Sequence, residues 1–495
     1  MDGCSRTDLS AALAAVMAAL IALGVQSALA QEKFPYVGCP DVSIADFKKV
    51  SLVDKTNHAD LNEPLKMALA RDGRLFFVER MGKVKVWDPA TKAVQELARL
   101  DAFSNHEQGA IGIALDPAFA SNNFLYINYA FPGADVFRVA RFAVTAGKLD
   151  MASARTIIDI PTQRRSCCHT GGDMAFDAKG DLWISVGNNI NNGTYVDEAF
   201  VDQDDQGHSA NTNDLRGKIL RIHPVADAVN GRYYTIPKGN LFAEGAALTK
   251  PEIYTMGHRN PYTLSVDSKT GWVTYGDIGP DEGWDTEEHG LVTAAGNMGW
   301  PYFAGSAGNE HYKYRLDKDS AGPQNNSPNN TGLKVLPPAV PALIGYHQSA
   351  AITGPIYRYD GALASTVKLP PHFDGKWFIT DFNKGWVKAV GPEGALYVIE
   401  YAGWANSNAD TRIARFEYAG TCLPKPTAIA DGAGRNPGAR MPRLQAFLGF
   451  GPEGKEAARP SGSALYTLEG KRMGDGRSSG RRGNIEVSEG VYLAR

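Results

Sequence analysis

The sequence has little net charge: 51 Lys and Arg against 54 Asp and Glu leave a formal charge of -3 over 495 residues. No field of one sign argues for nucleic acid or an anionic membrane as partner. Beyond Leu29 no apolar run is long enough to cross a bilayer. Extended helical periodicity is also missing, which argues against a helical bundle. Cysteines number five, and none stands in a Cys-x-x-Cys-His pattern, so covalent haem is not encoded.

What is present favours sheets. Glycine is high at 53 and aromatics reach 10%, a mix that suits many short strands joined by turns. One motif recurs: a turn with glycine, then a short aromatic strand. It appears as Arg71-Asp-Gly-Arg-Leu-Phe-Phe-Val-Glu79, Asp177-Ala-Lys-Gly-Asp-Leu-Trp-Ile-Ser185 and Asp267-Ser-Lys-Thr-Gly-Trp-Val-Thr-Tyr275. Phe373 to Thr380 and Pro392 to Glu400 repeat it, and Asp116 to Asn128 is a looser copy. Second strands are expected at Gly82–Trp87, Gly217–Ile222 and Gly385–Val390. About six such copies predict an all-β, six-bladed β-propeller. The spacing from Gly375 to Gly394 is too short for a four-stranded blade. Either the last blades are truncated, or the N-terminal segment lends a strand that closes the ring like a clasp.

The predicted organisation is a signal peptide at 1–30, a propeller at 31–420, a linker at 421–461 and a small β tail at 462–495. Leu9 to Leu29 is apolar, and Ala28-Leu-Ala30 suits signal-peptidase cleavage, giving an extracytoplasmic protein; an uncleaved anchor is the alternative. The linker is rich in Pro, Gly and Ala. The tail resembles C-terminal sorting segments of some secreted bacterial proteins. Cys39 and Cys422 bracket the strand-rich body and would staple its ends as a disulfide, the alternative being two free buried thiols. Cys167 and Cys168 are adjacent and suit either a vicinal disulfide or, with His169, a metal site.

Four polar patches fall at strand ends, where a propeller gathers its loops at one mouth of the channel: Asn105–Gly112, Cys167–Gly172 with Gly187–Asn189, Gly257–Pro261, and Gly276–Glu288. His169 can take a proton near neutral pH. Arg259 keeps its charge and suits a carboxylate or a quinone oxygen. The acid- and glycine-rich fourth patch suits a hard cation.

Taken together, Glu79-Arg-Met-Gly-Lys-Val-Lys-Val, Glu107-Gln-Gly-Ala-Ile-Gly, His169-Thr-Gly-Gly, Gly217-Lys-Ile-Leu-Arg-Ile, Tyr254-Thr-Met-Gly-His-Arg-Asn-Pro, Gly279-Pro and Asn297-Met-Gly-Trp-Pro301 resemble the soluble PQQ-dependent aldose sugar dehydrogenases, the glucose/sorbosone dehydrogenase family. They follow the family's order over roughly Leu61 to Tyr418. The resemblance implies PQQ and Ca2+ as cofactors, an aldose or oligosaccharide as substrate, and an external electron acceptor. It implies His169 and Arg259 as catalytic residues, and Glu107, Gln108, Asn189, Arg259, Asn260 and Lys384 as cofactor contacts. The carbonyls of Gly279 and Pro280 would ligate the metal. Cys168 stands where the best-known branch of the family carries an acidic residue. Two other readings are a carbohydrate-binding propeller without catalysis and a calcium-dependent lactonase-like hydrolase.

Overall fold

The computed structural model describes residues 46–164, 168–190, 204–280, 287–306, 323–346, 350–381, 386–390, 394–400 and 411–420, with short strands at 464–466, 472–475 and 492–494. The strands form radial sheets about a ring. The first sheet is β2 (Pro64–Leu69), β3 (Leu75–Glu79), β4 (Lys83–Trp87) and β5 (Val94–Arg99). The second is β6 (Ala110–Leu115), β7 (Phe124–Phe131), β8 (Val136–Thr145) and β9 (Lys148–Pro161). The third runs β10 (Gly171–Phe176), β11 (Leu182–Val186), β12 (Lys218–Val229), β14 (Ile253–Met256) and β18 (Gly296–Asn297), with β13 (Arg232–Thr235) paired to β12. The fourth is β15 (Pro261–Val266), β16 (Val273–Asp277), β17 (Glu287–Val292) and β19 (Ile344–Tyr346).

The recurring motif has a local cause. In the third sheet Asp177 accepts hydrogen bonds from the backbone of Lys179 and Asp181, while its other oxygen takes the Trp183 indole N–H at 3.1 Å. Asp267 holds its own turn the same way through Lys269 and Thr270. Gly180 completes the turn at φ +85, a left-handed conformation that glycine adopts without cost. Each turn thus fixes the register of the strand after it. The alternating apolar residues then bury Leu75, Phe77, Leu182, Ile184 and Leu220 in one shared core. A fully buried side chain of this size contributes about 1.5–3 kcal/mol.

The expected six-bladed propeller is corrected to five full blades among the described residues. After the fourth sheet, β20 (Ala351–Ile356) and β21 (Trp377–Asp381) make only a hairpin, to which the tail strand β27 (Tyr492–Ala494) pairs. The last full sheet is β22 (Trp386–Val390), β23 (Leu396–Glu400) and β24 (Arg412–Tyr418), with the N-terminal strand β1 (Phe47–Asp54) on its outer edge. Both readings of the short spacing therefore hold: one sheet is truncated and the N-terminal strand is the clasp. Gly385–Val390 was expected as the second strand after Phe373–Thr380. Its strand portion, Trp386–Val390, instead opens the next sheet, pairing with β23 and packing beside β20 as the sixth innermost strand.

The innermost strands β2, β6, β10, β15, β20 and β22 neighbour one another in turn, and β22 returns to β2. Glycines allow the close approach: a Cβ on Gly112 of β6 would sit 2.1 Å from the Gly172 oxygen of β10. Lys66 reaches across the ring from β2, donating to the Tyr262 carbonyl at 2.7 Å and lying 3.8 Å from Asp173 of β10. The floor of the ring is polar there, and both charged groups are fully buried. In the tail, β25 (Ala464–Tyr466) and β26 (Arg472–Asp475) form a separate two-stranded ribbon.

Candidate active site

His169 lies just before β10, with φ +53, followed by Gly171 at φ +61 and Gly172 at φ +100. A non-glycine residue held in the left-handed region costs energy, and such strain clusters where function fixes a side chain. Two contacts hold His169 there. Its carbonyl accepts the Asn189 N–H at 3.0 Å, and Gly187 packs beneath it with no room for a Cβ. Its ring Nδ1 meets Asn188 Oδ1 at 2.7 Å. Burial, reinforced by the nearby Arg259 charge, holds the imidazole well below its ordinary pKa. The ring is therefore neutral at physiological pH.

Arg259 arrives from the turn before β15. Asp277 at the end of β16 organises that turn, accepting the backbone N–H of Arg259 at 3.2 Å and of Asn260 at 2.6 Å, and meeting His258 Nδ1 at 3.0 Å. The turn then docks on the histidine loop: the Arg259 carbonyl accepts Asn188 N–H at 2.8 Å, and Asn260 Oδ1 accepts Gly171 N–H at 3.0 Å. His169 and Arg259, 90 positions apart in sequence, thus share one end of the ring. The Arg259 guanidinium donates to Ile278 O at 3.0 Å and lies 6.0 Å from the Trp300 ring.

Glu107 joins them from the loop before β6, its Oε2 accepting Thr170 N–H at 3.1 Å. Burial pushes its carboxyl up to about 7, against the opposing pull of the Thr170 N–H and Arg259. Gln108 and Asn189 are both buried and linked through Gln163: Gln108 Nε2 donates to the Gln163 carbonyl at 3.0 Å, and Gln163 Nε2 donates to the Asn189 carbonyl at 3.0 Å. Gln108 Oε1 and Asn189 Nδ2 have no hydrogen-bond partner among the described residues. Asn260, expected as a cofactor contact, lies in the Arg259 turn, and its Oδ1 ties that turn to the histidine loop through Gly171 N–H. Lys384 lies outside the described residues.

Gly279 and Pro280 are buried beside Arg259, and Gly279 N–H donates to Glu287 Oε1 at 3.3 Å. Three carboxylates of the fourth patch lie among the described residues and accept backbone amides: Asp277 as above, Glu287 from Ala351 N–H at 2.6 Å, and Glu288 from Gly305 N–H; Asp281, Glu282 and Asp285 lie outside the described residues. Among the described residues no three His, Cys, Asp or Glu side chains gather as a metal cage. Burial raises the Glu287 carboxyl to about 8. Two carbonyls fall short of the six to eight oxygens calcium takes, so a cofactor and water would have to supply others. Cys168 is disulfide-bonded, and a disulfide sulfur is no thiolate ligand, so the Cys-Cys-His metal reading is set aside. Cys39, Cys167 and Cys422 lie outside the described residues.

Sequence reasoning passed over three residues. Asn188 was seen only as part of a polar strand end. Asp205, in a single helical turn (Asp205–His208), and Trp300 carried no motif of their own. Asp205 Oδ1 accepts both Asn188 Nδ2 at 2.5 Å and Trp300 Nε1 at 2.9 Å.

The fold is a β-propeller, and one mouth of its ring gathers the imidazole of His169, the guanidinium of Arg259 and the amides of Gln108 and Asn189. The glucose/sorbosone dehydrogenase family model matches residues 61–365, and the chain belongs to that family. It is 23% identical over 278 residues to quinoprotein glucose dehydrogenase B of Acinetobacter calcoaceticus, covering 52% of this chain and 54% of that one. It is also 25% identical over 227 residues to the human Hedgehog-interacting protein, covering 42% of this chain and 30% of that one. The chain thus spans about half of the first relative's length and less than a third of the second's. In fold it is similar to the soluble aldose sugar dehydrogenase of Escherichia coli, with a TM-score of 0.54 at 19% identity over 75% of this chain and 99% of that one. Among the described residues no helix is long and apolar enough to cross a membrane.

Proposed function

We propose that this protein is a PQQ- and calcium-dependent sugar dehydrogenase that oxidises the anomeric carbon of an aldose to a lactone. The observation that carries the proposal is the convergence of His169 and Arg259 on one mouth through the Asn188 and Asp277 contacts. The orphaned Gln108 Oε1 and Asn189 Nδ2 fit a polar, multiply oxygenated group such as PQQ. PQQ, together with calcium, would supply the hydride acceptor that the chain itself lacks. Glu107, Gln108, Asn189 and Arg259 would hold it, and the carbonyls of Gly279 and Pro280 would face the metal.

The chain's own contribution is acid–base chemistry and orientation. His169 presents Nε2 to the anomeric hydroxyl, because Nδ1 is engaged by Asn188, and takes its proton as the C–H bond is broken. Its depressed pKa keeps it unprotonated, and so ready as a base, in mildly acidic solution. Arg259 keeps a fixed positive charge beside the developing negative charge. On the same reading residues 1–30 are an export signal, 31–420 the catalytic unit, 421–461 a linker and 462–495 a tail, and the protein works outside the cytoplasm with an external electron acceptor.

A second reading, a sugar-binding propeller without catalysis, is favoured by the similarity to a relative named for a binding partner instead of a reaction. One experiment separates them. Purified apo-protein is loaded with PQQ and Ca2+, and dye reduction is followed with a panel of aldoses. Sugar-dependent reduction that is lost in His169→Ala supports the dehydrogenase; sugar binding without reduction supports the binding protein.

A further inference from the structure

The histidine of the site does not end its hydrogen-bond chain at its first partner. His169 Nδ1 meets Asn188 Oδ1 at 2.7 Å, Asn188 Nδ2 donates to Asp205 Oδ1 at 2.5 Å, and Trp300 Nε1 donates to the same Asp205 oxygen at 2.9 Å. The ring of Trp300 lies 6.0 Å from the Arg259 guanidinium carbon. Asn188 is fully buried, and Asp205 and Trp300 nearly so. The chain therefore joins the two ends of the site, the imidazole and the guanidinium, through groups that touch neither sugar nor cofactor in the reading above.

An amide behind an imidazole is ambiguous in a way a carboxylate is not. It can offer an oxygen, which requires Nδ1–H and leaves Nε2 free, or a nitrogen, which reverses the tautomer. Here the amide is oriented from two sides. Ile190 N–H donates to Asn188 Oδ1 at 3.1 Å, and the Asp205 carboxylate, an acceptor only, demands the Asn188 NH2. Asp205 is itself seated by its neighbours: Gln206 O and Ala210 O accept the Asn325 amide at 2.7 and 3.1 Å, and Gln206 Oε1 meets the Tyr302 hydroxyl at 3.0 Å.

We infer that Asp205 is a positioning residue for His169: acting through the Asn188 amide, it fixes the Nδ1–H tautomer and so leaves Nε2 as the proton acceptor. This rests on the reading of His169 as the base. It differs from a purely structural role in predicting a change of sign between two substitutions. Asp205→Ala leaves the buried Asn188 NH2 unsatisfied and frees the amide to turn. Adding Asn188→Asp removes that NH2, keeps an oxygen for both Nδ1–H and Ile190 N–H, and moves the lost negative charge one place along the chain. In the intact protein the same Asn188→Asp would set two carboxylates against each other.

The test is a double-substitution cycle with two readouts. The first is kcat for PQQ- and Ca2+-dependent dye reduction. The second is the 15N-histidine NMR spectrum of apo-protein, with the His169 signal assigned by its loss in His169→Gln. Asp205→Ala is expected to lower kcat about tenfold or more with a smaller change in KM, and to mix the His169 tautomers. Asn188→Asp alone is expected to lower kcat. The double variant is expected to exceed both singles and to restore Nδ1–H. A double variant no better than Asp205→Ala overturns the inference, as does a His169 tautomer unchanged by Asp205→Ala. If Asp205→Ala does not fold, Asn188→Asp alone decides: preserved or raised activity overturns the relay, and lowered activity supports it. If no variant nor the parent reduces dye, the dehydrogenase reading fails while the NMR arm still judges the tautomer.

Discussion

Gly187 lies so close beneath His169 that a Cβ on it would stand 2.0 Å from the His169 carbonyl oxygen and 3.0 Å from Asn260 Oδ1. Real Cβ atoms do not approach a backbone oxygen so closely, so Gly187→Ala must push the histidine loop away from the Arg259 turn. The expected result is loss of dye reduction and a destabilisation of about 1–3 kcal/mol. Activity assays and denaturant unfolding check it. A variant as active as the parent would mean that His169 need not sit where the structure holds it.

His169 is held neutral by burial and by the Arg259 charge. A depressed folded-state pKa on a base means that the folded protein binds fewer protons than the unfolded chain below about pH 6.5. The acid limb of kcat/KM is therefore expected well below pH 6.5. Arg259→Gln removes one of the two causes, so the limb moves up while cofactor affinity falls. The pH–rate profile and PQQ titration measure the two effects separately.

Glu107 carries the opposite sign. Its folded-state pKa, about 7, lies above the ordinary 4.5. The stability it contributes is fully present below pH 4.5 and is lost as pH rises through 7. Glu287, also raised, adds a slope of the same sign. The check is thus a difference: apo-protein carrying Glu107→Gln should lose less stability than the parent between those two pH values. Equal slopes in urea unfolding would contradict the burial of this carboxyl.

Lys66 and Asp173 are both fully buried, and the Asp173 carboxylate also accepts the backbone of Met174 and Leu264. Removing one buried charge strands the other. Lys66→Met is expected to cost about 3–5 kcal/mol. Lys66→Met with Asp173→Asn should recover part of that loss. Thermal melts of the two variants test it, and additivity of the two substitutions would show that the groups do not interact.

Much of the architecture could be read before any coordinates. The glycine-containing turns announced the strands because Asp177 and Asp267 tie their own turns, a local interaction written into four or five consecutive residues. The clasp of β1 on β24 followed from a spacing too short to supply every strand. The assignment of Trp386–Val390 to the next sheet was not legible, because a strand's own pattern does not say which edge it will meet. Asn188 and Asp205 were equally opaque, since 17 positions without a recurring sequence pattern separate them.

The sequence by itself determined the turns, the alternation of side chains between the two faces of a strand, and the residue types able to move a proton or hold a fixed charge. These depend on neighbours within a few bonds. Only closure of the ring decided that the carbonyl of Arg259 would hold Asn188, that Asp277 would orient the arginine turn instead of a metal, and that Asp205 would reach the histidine through an amide. Those contacts join residues tens of positions apart, and no chain segment specifies them until all the sheets have packed.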